Sequence, residues 1–534
     1  MAFGSSAAEK SAVTFEETCK ALIGQAVPGG SIASAQYLPA GREGTTPVPD
    51  HCKLQGKLNE RLGIEGKKYA IGFELRLPKT WNGRFYFQGG GGTDGVVRPA
   101  MGTIPAGAVA PNALANGFAV VSTDAGHSNE SGIQGSYLFG VDPQARSDYG
   151  YNHLPVVSAA ARTLIETVYG SKPKYSYFVG CSNGGRQGMM ATQRFPELFD
   201  GVIAGAPAYR VVEASLDAAA QTKIFASVAP VDPNGRAQLG TALSTEELDV
   251  VSRGILQACD KLDGIADGMV NNVRDCKFDP KTIQCSSENP SACLAENKVA
   301  ALKQVFNGAR NHDGEVLYST WPYDPGIATP LWTMWKIGPA AASPPQALNT
   351  TLVAGALAHV FLTPPQPTAD LYGFVLNLDI DAALKKTANA VAPYLESGKS
   401  AVNADSPNID AYVKHGGKII FYHGMADGIF SPRDTVKYID QLSQRYGQQV
   451  DSFARLYLVP GMGHCAGGPA TDQFDAVSEL VKWVEEGKAP DTLVAKANAN
   501  APWPGRTRPL CAYPKQVHYS GKGDVESAKS FVCN

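Results

Sequence analysis

The stretch Tyr175–Gly185, reading YSYFVGCSNGG, narrows the folds open to this chain more than any other. A run rich in aromatic and β-branched residues, YSYFV, leads into Gly180-Cys181-Ser182-Asn183-Gly184. The helix-like segment RQGMMATQRFP follows. G-x-S-x-G between a strand and a helix is the pattern of a nucleophile elbow, in which a sharp turn lifts the serine hydroxyl above the end of a sheet. The turn needs small neighbours, which Gly180, Gly184 and Gly185 supply. It also sets the Asn183 amide beside a helix N-terminus. A glycine-rich turn with an ordinary serine is the plainer alternative, and the flanking strand and helix weigh against it.

Other apolar runs predict strands at Arg84–Gln88 (RFYFQ), Phe118–Ser122 (FAVVS), Gly201–Ala204 (GVIA), Lys418–Tyr422 (KIIFY) and Arg455–Val459 (RLYLV). Helical spacing marks Leu154–Tyr169 and Phe474–Glu486; the second places Phe474, Val477, Leu480, Val481 and Val484 on one face. Strands alternating with helices imply an α/β architecture with a mostly parallel sheet covered on both faces. From about Tyr209 to about Asp405 that alternation fades, and proline, alanine and asparagine become frequent, as in SPPQALNTT and TPPQPTAD. The pattern therefore divides the chain into a first core part at 1–208, an inserted unit at 209–406, and a second core part at 407–534. A single domain with long loops is the alternative, but long structureless loops are uncommon in compact domains. A length of 534 residues with 44% hydrophobic content is ample for a core of this size. No internal repeat is seen.

A serine hydroxyl needs a base to act as a nucleophile at neutral pH. In an elbow fold the partners follow in the order Ser, acid, His, each just after a late core strand. Lys418–Tyr422 leads into His423-Gly424-Met425-Ala426-Asp427, and Arg455–Val459 leads into Pro460-Gly461-Met462-Gly463-His464. The candidate triad is Ser182, Asp427 and His464, on an α/β-hydrolase core. His464 would take the Ser182 proton and return it to a leaving alcohol, while Asp427 holds the imidazole tautomer. His423 is the rival histidine and reads better as a buried, hydrogen-bonded residue. Asp434 lies past Pro432 and falls inside a helix. The oxyanion hole needs backbone N–H donors. Gln88-Gly89-Gly90-Gly91-Gly92-Thr93 follows an early strand, so the donors are expected from Gly92 and Asn183, with Gly91 beside the substrate. The glycine run is no phosphate cradle, because no Lys-Ser or Lys-Thr follows it.

The net charge of −3, without a long basic run, gives no reason to expect nucleic acid or an anionic membrane as partner. No run of about 20 apolar residues occurs, so no membrane span is expected. The opening MAFGSSAAEK lacks the apolar stretch of a signal peptide. Ten cysteines without a C-x-x-C pair fit disulfides better than zinc or redox chemistry, which points to a secreted or periplasmic protein.

With its Gly-Cys-Ser-x-Gly-Gly at 180–185, HGMAD at 423–427 and PGMGHC at 460–465, the chain resembles the tannase and feruloyl esterase family over essentially its whole length. The resemblance implies an esterase with a lid inserted after the nucleophile half of the core, acting on small aromatic esters such as feruloyl or galloyl esters. It implies the disulfides Cys181–Cys465, Cys19–Cys52, Cys259–Cys276, Cys285–Cys293 and Cys511–Cys533; sequence alone does not select among connectivities.

In the insert, the cluster Cys259-Asp260-Lys261-Leu262-Asp263-Gly264-Ile265-Ala266-Asp267-Gly268-Met269 sets three carboxylates among turn-forming glycines, which suits a hard cation. It is not an EF-hand, and a solvated acidic loop is the alternative reading. The resemblance implies a structural calcium ion (Ca2+) held by the side chains of Asp260, Asp263 and Asp267 and the carbonyls of Ile265 and Met269. Trp332, Trp335 and Phe430 are candidates to wall a slot for an aromatic ring, with core packing as the alternative for each. A terephthalate half-ester hydrolase of the family holds its substrate's free carboxylate with a lid arginine. The matching stretch here, Ala340–Phe361, has no arginine or lysine, and Lys336 just before it is the nearest positive charge. Uncharged phenolic acyl groups are favoured on that ground. An acyltransferase using the same triad, and a binding protein on an inactive hydrolase fold, are the competing classes.

Overall fold

The computed structural model describes residues 13–107, 110–129, 135–287, 291–340, 342 and 345–534. The opening residues 1–12, which bear on the signal-peptide expectation, lie outside these, as do three positions of the arginine-free stretch.

The chain begins with strands β1 (Ala26–Val27) and β2 (Gly30–Leu38), a small hairpin of β3 (Gly41–Glu43) and β4 (Thr46–Val48), then β5 (His51–Leu62) and β6 (Lys68–Pro78). Core strands β7 (Arg84–Gln88), β8 (Ala119–Thr123), β9 (Tyr175–Cys181) and β10 (Gly201–Gly205) follow, and after a long excursion β11 (Lys418–Gly424) and β12 (Ala454–Val459). Ten of these form one sheet in the order β1-β2-β5-β6-β8-β7-β9-β10-β11-β12. From β8 to β12 every pairing is parallel. The strands from β1 to β6 join antiparallel, and β6 pairs antiparallel with β8.

The apolar runs predict no strand before Arg84, and here the structure adds an antiparallel wing. The cause is visible in β5: in HCKLQGKL, buried Cys52, Leu54, Gly56 and Leu58 alternate with exposed or half-exposed Lys53, Gln55 and Lys57. Such half-buried strands carry polar residues at every second position and escape a search for continuous apolar runs. The parallel strands are buried on both faces, with side chains dividing by parity. Phe85, Phe87, Phe178, Val202, Phe421 and Leu456 pack on one side with helices His153–Tyr169, Asn183–Arg194 and Pro432–Tyr446. Tyr86, Tyr177, Ile203, Tyr422 and Tyr457 pack on the other with the helix Ala476–Glu486.

Strands β10 and β11 are in-register parallel neighbours, Gly201 facing Lys418, yet more than two hundred residues separate them in sequence. None of the described residues between contributes a strand to the main sheet. They form helices, among them Val211–Val228, Thr245–Cys259, Glu296–Phe306, Pro330–Lys336 and Leu352–Ala356. Their apolar faces build a separate cluster around Val251, Ile255, Leu302, Phe306, Trp321 and Trp332, which meets the main core at Met425, Ile429 and Phe430. At the C-terminal end, β13 (Thr492–Lys496) pairs with β14 (Thr507–Cys511), and β15 (Val517–Tyr519) with β16 (Phe531–Cys533). All ten cysteines are paired as the family resemblance implies: 19–52, 181–465, 259–276, 285–293 and 511–533. No helix among the described residues is long and apolar enough to cross a membrane.

Candidate active site

Ser182 stands between the end of β9 and the helix that starts at Asn183, with φ +63° and ψ −125°. A non-glycine residue held there is strained, and the surroundings over-determine it. Its N–H donates to the Gly205 carbonyl (2.9 Å), and its own carbonyl accepts from the Arg186 and Ala208 amides (3.0 and 3.1 Å). The small neighbours are required by contact. A Cβ on Gly180 would lie 2.6 Å from the Gly184 carbonyl carbon, and one on Gly184 would lie 2.7 Å from the Gly90 oxygen. The helix after Ser182 therefore packs backbone-to-backbone on the glycine run after β7.

Asp427 and His464 follow β11 and β12, which lie side by side. The His464 Nδ1–H donates to Asp427 Oδ2 at 2.7 Å. The second carboxylate oxygen accepts the Ile429 and Phe430 amides at 2.8 and 3.0 Å. His423 is fully buried. Its Nε2 faces Asp427 Oδ2 (3.2 Å) and the Phe430 carbonyl (3.0 Å), both acceptors, so Nε2 carries the proton and Nδ1 accepts from the Thr435 hydroxyl (2.8 Å). Burial alone would push Asp427 upward; His464 and the hydrogen bonds from both imidazoles outweigh it and hold this carboxyl well below the ordinary range. Asp434, the rival acid, is instead paired with Arg210 at 2.7 Å. The Cys181–Cys465 disulfide, with Cα atoms 6.0 Å apart, ties the residue before Ser182 to the residue after His464.

A narrow cleft opens over Ser182, lined by Gly92, Asn183, Tyr149, Trp335, Leu352 and Phe430 among others, with no Lys, Arg, Asp or Glu among the described residues. Trp335 meets the His464 ring edge-on at 5.2 Å and Phe430 meets it tilted at 5.5 Å. Trp332 does not reach the cleft lining; it packs edge-on against Phe225 within the insert. Gly91 is also outside the lining and lies near Arg98. Lys336 is buried, donating to Gln221 Oε1 and lying 3.6 Å above the Trp321 ring. Its amine is held in the insert's interior and Lys336 does not line the cleft.

Two supporting residues leave no mark in the sequence. Asp94 accepts from Asn183 Nδ2 (2.5 Å) and Gln187 Nε2 (2.6 Å), while Gln187 Oε1 accepts the Gly90 amide (3.1 Å). This network binds the glycine run to the helix after Ser182. Burial pushes the Asp94 carboxyl up to about 6, against the hydrogen bonds of Gln187 and Asn183 and the charge of Arg186. From the insert, Asp324 accepts the Gly461 amide at 3.0 Å and so pins the loop that carries His464.

In the acidic loop, Asp263 is buried and accepts from Asn271 Nδ2 (2.6 Å) and the Ile265 amide (3.2 Å). Asp260 accepts the Asp267 and Gly268 amides. The Asp267 carboxylate turns to Arg508, with Arg506 at 3.8 Å. Among the described residues no three acidic, histidine or cysteine side chains are already grouped to hold a metal ion.

The strand order, the elbow and the acid–histidine pair after β11 and β12 define an α/β-hydrolase. The chain belongs to the tannase and feruloyl esterase family, whose sequence model, "Tannase and feruloyl esterase", matches residues 52–534, and it is an esterase. Mono(2-hydroxyethyl) terephthalate hydrolase of Piscinibacter sakaiensis is 38% identical, covering 91% of this chain and 85% of that protein. A probable feruloyl esterase of Arthroderma benhamiae is 29% identical over 96% of this chain and 93% of its own. The crystal structure of feruloyl esterase B from Aspergillus oryzae superposes with a TM-score of 0.78 at 25% identity, covering 98% of this chain and all of that one.

Proposed function

We propose that this protein is a serine carboxylic-ester hydrolase for esters of neutral, phenolic aromatic acids. The observation that carries the reading is the 2.7 Å bond from His464 to Asp427, a buried carboxylate held ionised, beside a serine on a strained elbow. His464 Nε2 takes the Ser182 proton as Oγ attacks the ester carbonyl, and the Gly92 and Asn183 amides stabilise the oxyanion. The imidazolium gives that proton to the departing alkoxide, leaving an acyl-enzyme. Water, deprotonated by His464, attacks the acyl carbon; Ser182 Oγ takes the proton back and the acid leaves.

The acyl preference rests on a cleft lining without charge and on a Lys336 turned inward. A second carboxylate on the substrate would be buried without a cation, which is costly. The test is a side-by-side kinetic comparison of methyl ferulate, methyl gallate and mono(2-hydroxyethyl) terephthalate. The hydroxylated acyl groups should have the higher kcat/KM; a preference for the half-ester would overturn this substrate reading. Ser182→Ala should lower kcat by several orders of magnitude, and adding His464→Ala should lower it little further. Near-full turnover by Ser182→Ala would refute the triad. An added alcohol acceptor that captures most of the acyl group would favour acyl transfer.

Calcium would be held by Asp260 and Asp263 with the carbonyls of Ile265 and Met269, Asp267 completing the set on leaving Arg508. All-oxygen donors on a short glycine-bearing loop suit that ion. Asp263 is a buried carboxylate for which no ion pair is found among the described residues, so a cation would relieve its burial cost. Five disulfides support an oxidising compartment, outside the cell or in the periplasm.

A further inference from the structure

We infer that a cleft beside the segments that carry Asp427 and His464, separate from the cleft over Ser182, is a second binding site, for an apolar organic anion of the aromatic monocarboxylate class. A cleft of about 450 Å³ lies there, within the size range of small-molecule sites. It shares no lining residue with the cleft over Ser182. Its floor comes from the two segments that carry the triad: Met425 lies two residues before Asp427, and Leu458 and Pro460 lead into the His464 loop. Val273, beside the acidic loop, and Val517, beside the 511–533 disulfide, close the far side.

Three cations, Arg274, Arg433 and Lys515, line this apolar cleft. Two of them donate to neutral groups: Arg274 to the Pro514 carbonyl at 3.4 Å, and Arg433 Nη1 to the Thr320 hydroxyl at 3.1 Å. No ion pair is found for any of the three among the described residues. Of the acids around it, Asp275 accepts from Asn272 and its carboxyl is held below the ordinary range by that bond and in part by the charge of Arg274, while Asp263 accepts from Asn271 and Asp440 from Tyr513. The first turn of the helix Pro432–Tyr446 opens onto the cleft and adds the positive end of its dipole. An apolar lining beside Arg433 and Lys515, neither in an ion pair among the described residues, suits a ligand with a hydrophobic body and one carboxylate, with the arginine fork to grip it. Choosing an aromatic acid, the class such an esterase releases, rests on the substrate reading above. Because Met425 and Pro460 lie on the segments that lead to Asp427 and His464, occupancy there would be felt at the triad.

The test uses the full chain with the Ser182 cleft blocked by a fluorophosphonate, and 4-bromobenzoate as probe. Calorimetry should show one bound molecule, and the bromine signal in a soaked crystal should lie between Arg433 and Lys515. The double variant Arg433→Ala, Lys515→Ala should bind at least about tenfold more weakly, the loss of one charge-assisted contact. Its ester hydrolysis without added acid should be unchanged, and 4-bromobenzamide should not bind. No binding to the blocked enzyme, bromine elsewhere, or equal affinity in the variant would overturn the site. Failure to cleave aromatic esters would leave it standing, since binding is read without turnover; a Ser182 that takes no label would instead refute the triad.

Discussion

In the proposed mechanism Asp94 would act through Asn183 and Gln187, to which it is hydrogen-bonded, since it does not line the cleft over Ser182. Both partners donate to it, so its carboxylate form holds the glycine run and the helix after Ser182 at one spacing, on which the two proposed oxyanion donors would depend. Asp94→Asn presents an amide where two acceptors are needed. It should lower kcat about ten- to a hundredfold with KM little changed, less than outright loss of an oxyanion donor. A rise in KM at constant kcat would show that the network serves binding instead. The same residue has a pH signature. A carboxyl raised to about 6 on folding adds stability that is fully present below its ordinary value and is lost as pH climbs through about 6. The swing is on the order of 3 kcal/mol. The Tm advantage of the native protein over Asp94→Asn should therefore shrink between pH 4 and pH 7.

At the scale of elements, the site is an agreement among three strand ends, those of β9, β11 and β12, and the disulfide is the covalent part of it. The bridge joins residues 284 apart in sequence and fixes the elbow relative to the histidine loop. Closing so long a loop places it at the upper end of the usual 2–5 kcal/mol. Replacing Cys181 and Cys465 together by alanine should lower Tm and also kcat, because proton transfer depends on the geometry the bridge holds. A variant that melts earlier yet turns over normally would reduce the bridge to a staple. Asp324 supplies a second restraint from the insert, so the histidine loop is held from both sides.

For the whole molecule, the acidic loop is where the insert meets the C-terminal hairpin. Arg506 donates to the Asp267 carbonyl at 2.7 Å and Arg508 pairs with its carboxylate. A cation bound there would hold two distant parts of the chain through one loop. Chelation should lower Tm by several degrees while kcat for the remaining folded enzyme changes little, since binding to the native state alone stabilises by mass action. Asp263→Ala should melt at the same temperature with and without calcium. Persistent calcium sensitivity in that variant would move the ion elsewhere.

The parallel half of the sheet and the elbow at Ser182 were legible in the sequence because their signals are local: continuous apolar runs, and a turn that tolerates only small neighbours. The placing of Asp427 and His464 in the loops after β11 and β12 was legible too, since each follows such a run. The antiparallel wing before Arg84 was not, because half-buried strands carry polar residues at alternate positions. Trp332 and Trp335 sit three apart on one short helix with nothing in the sequence to rank them; packing sent the first against Phe225 and the second against His464. Lys336 could be counted as a charge near the cleft, but only its burial against Gln221 and Trp321 removed it. Asp94 and Asp324 resemble any other aspartate in the chain. What they do depends on backbone amides and side chains brought to them from far along it, and those contacts exist only once the chain has folded.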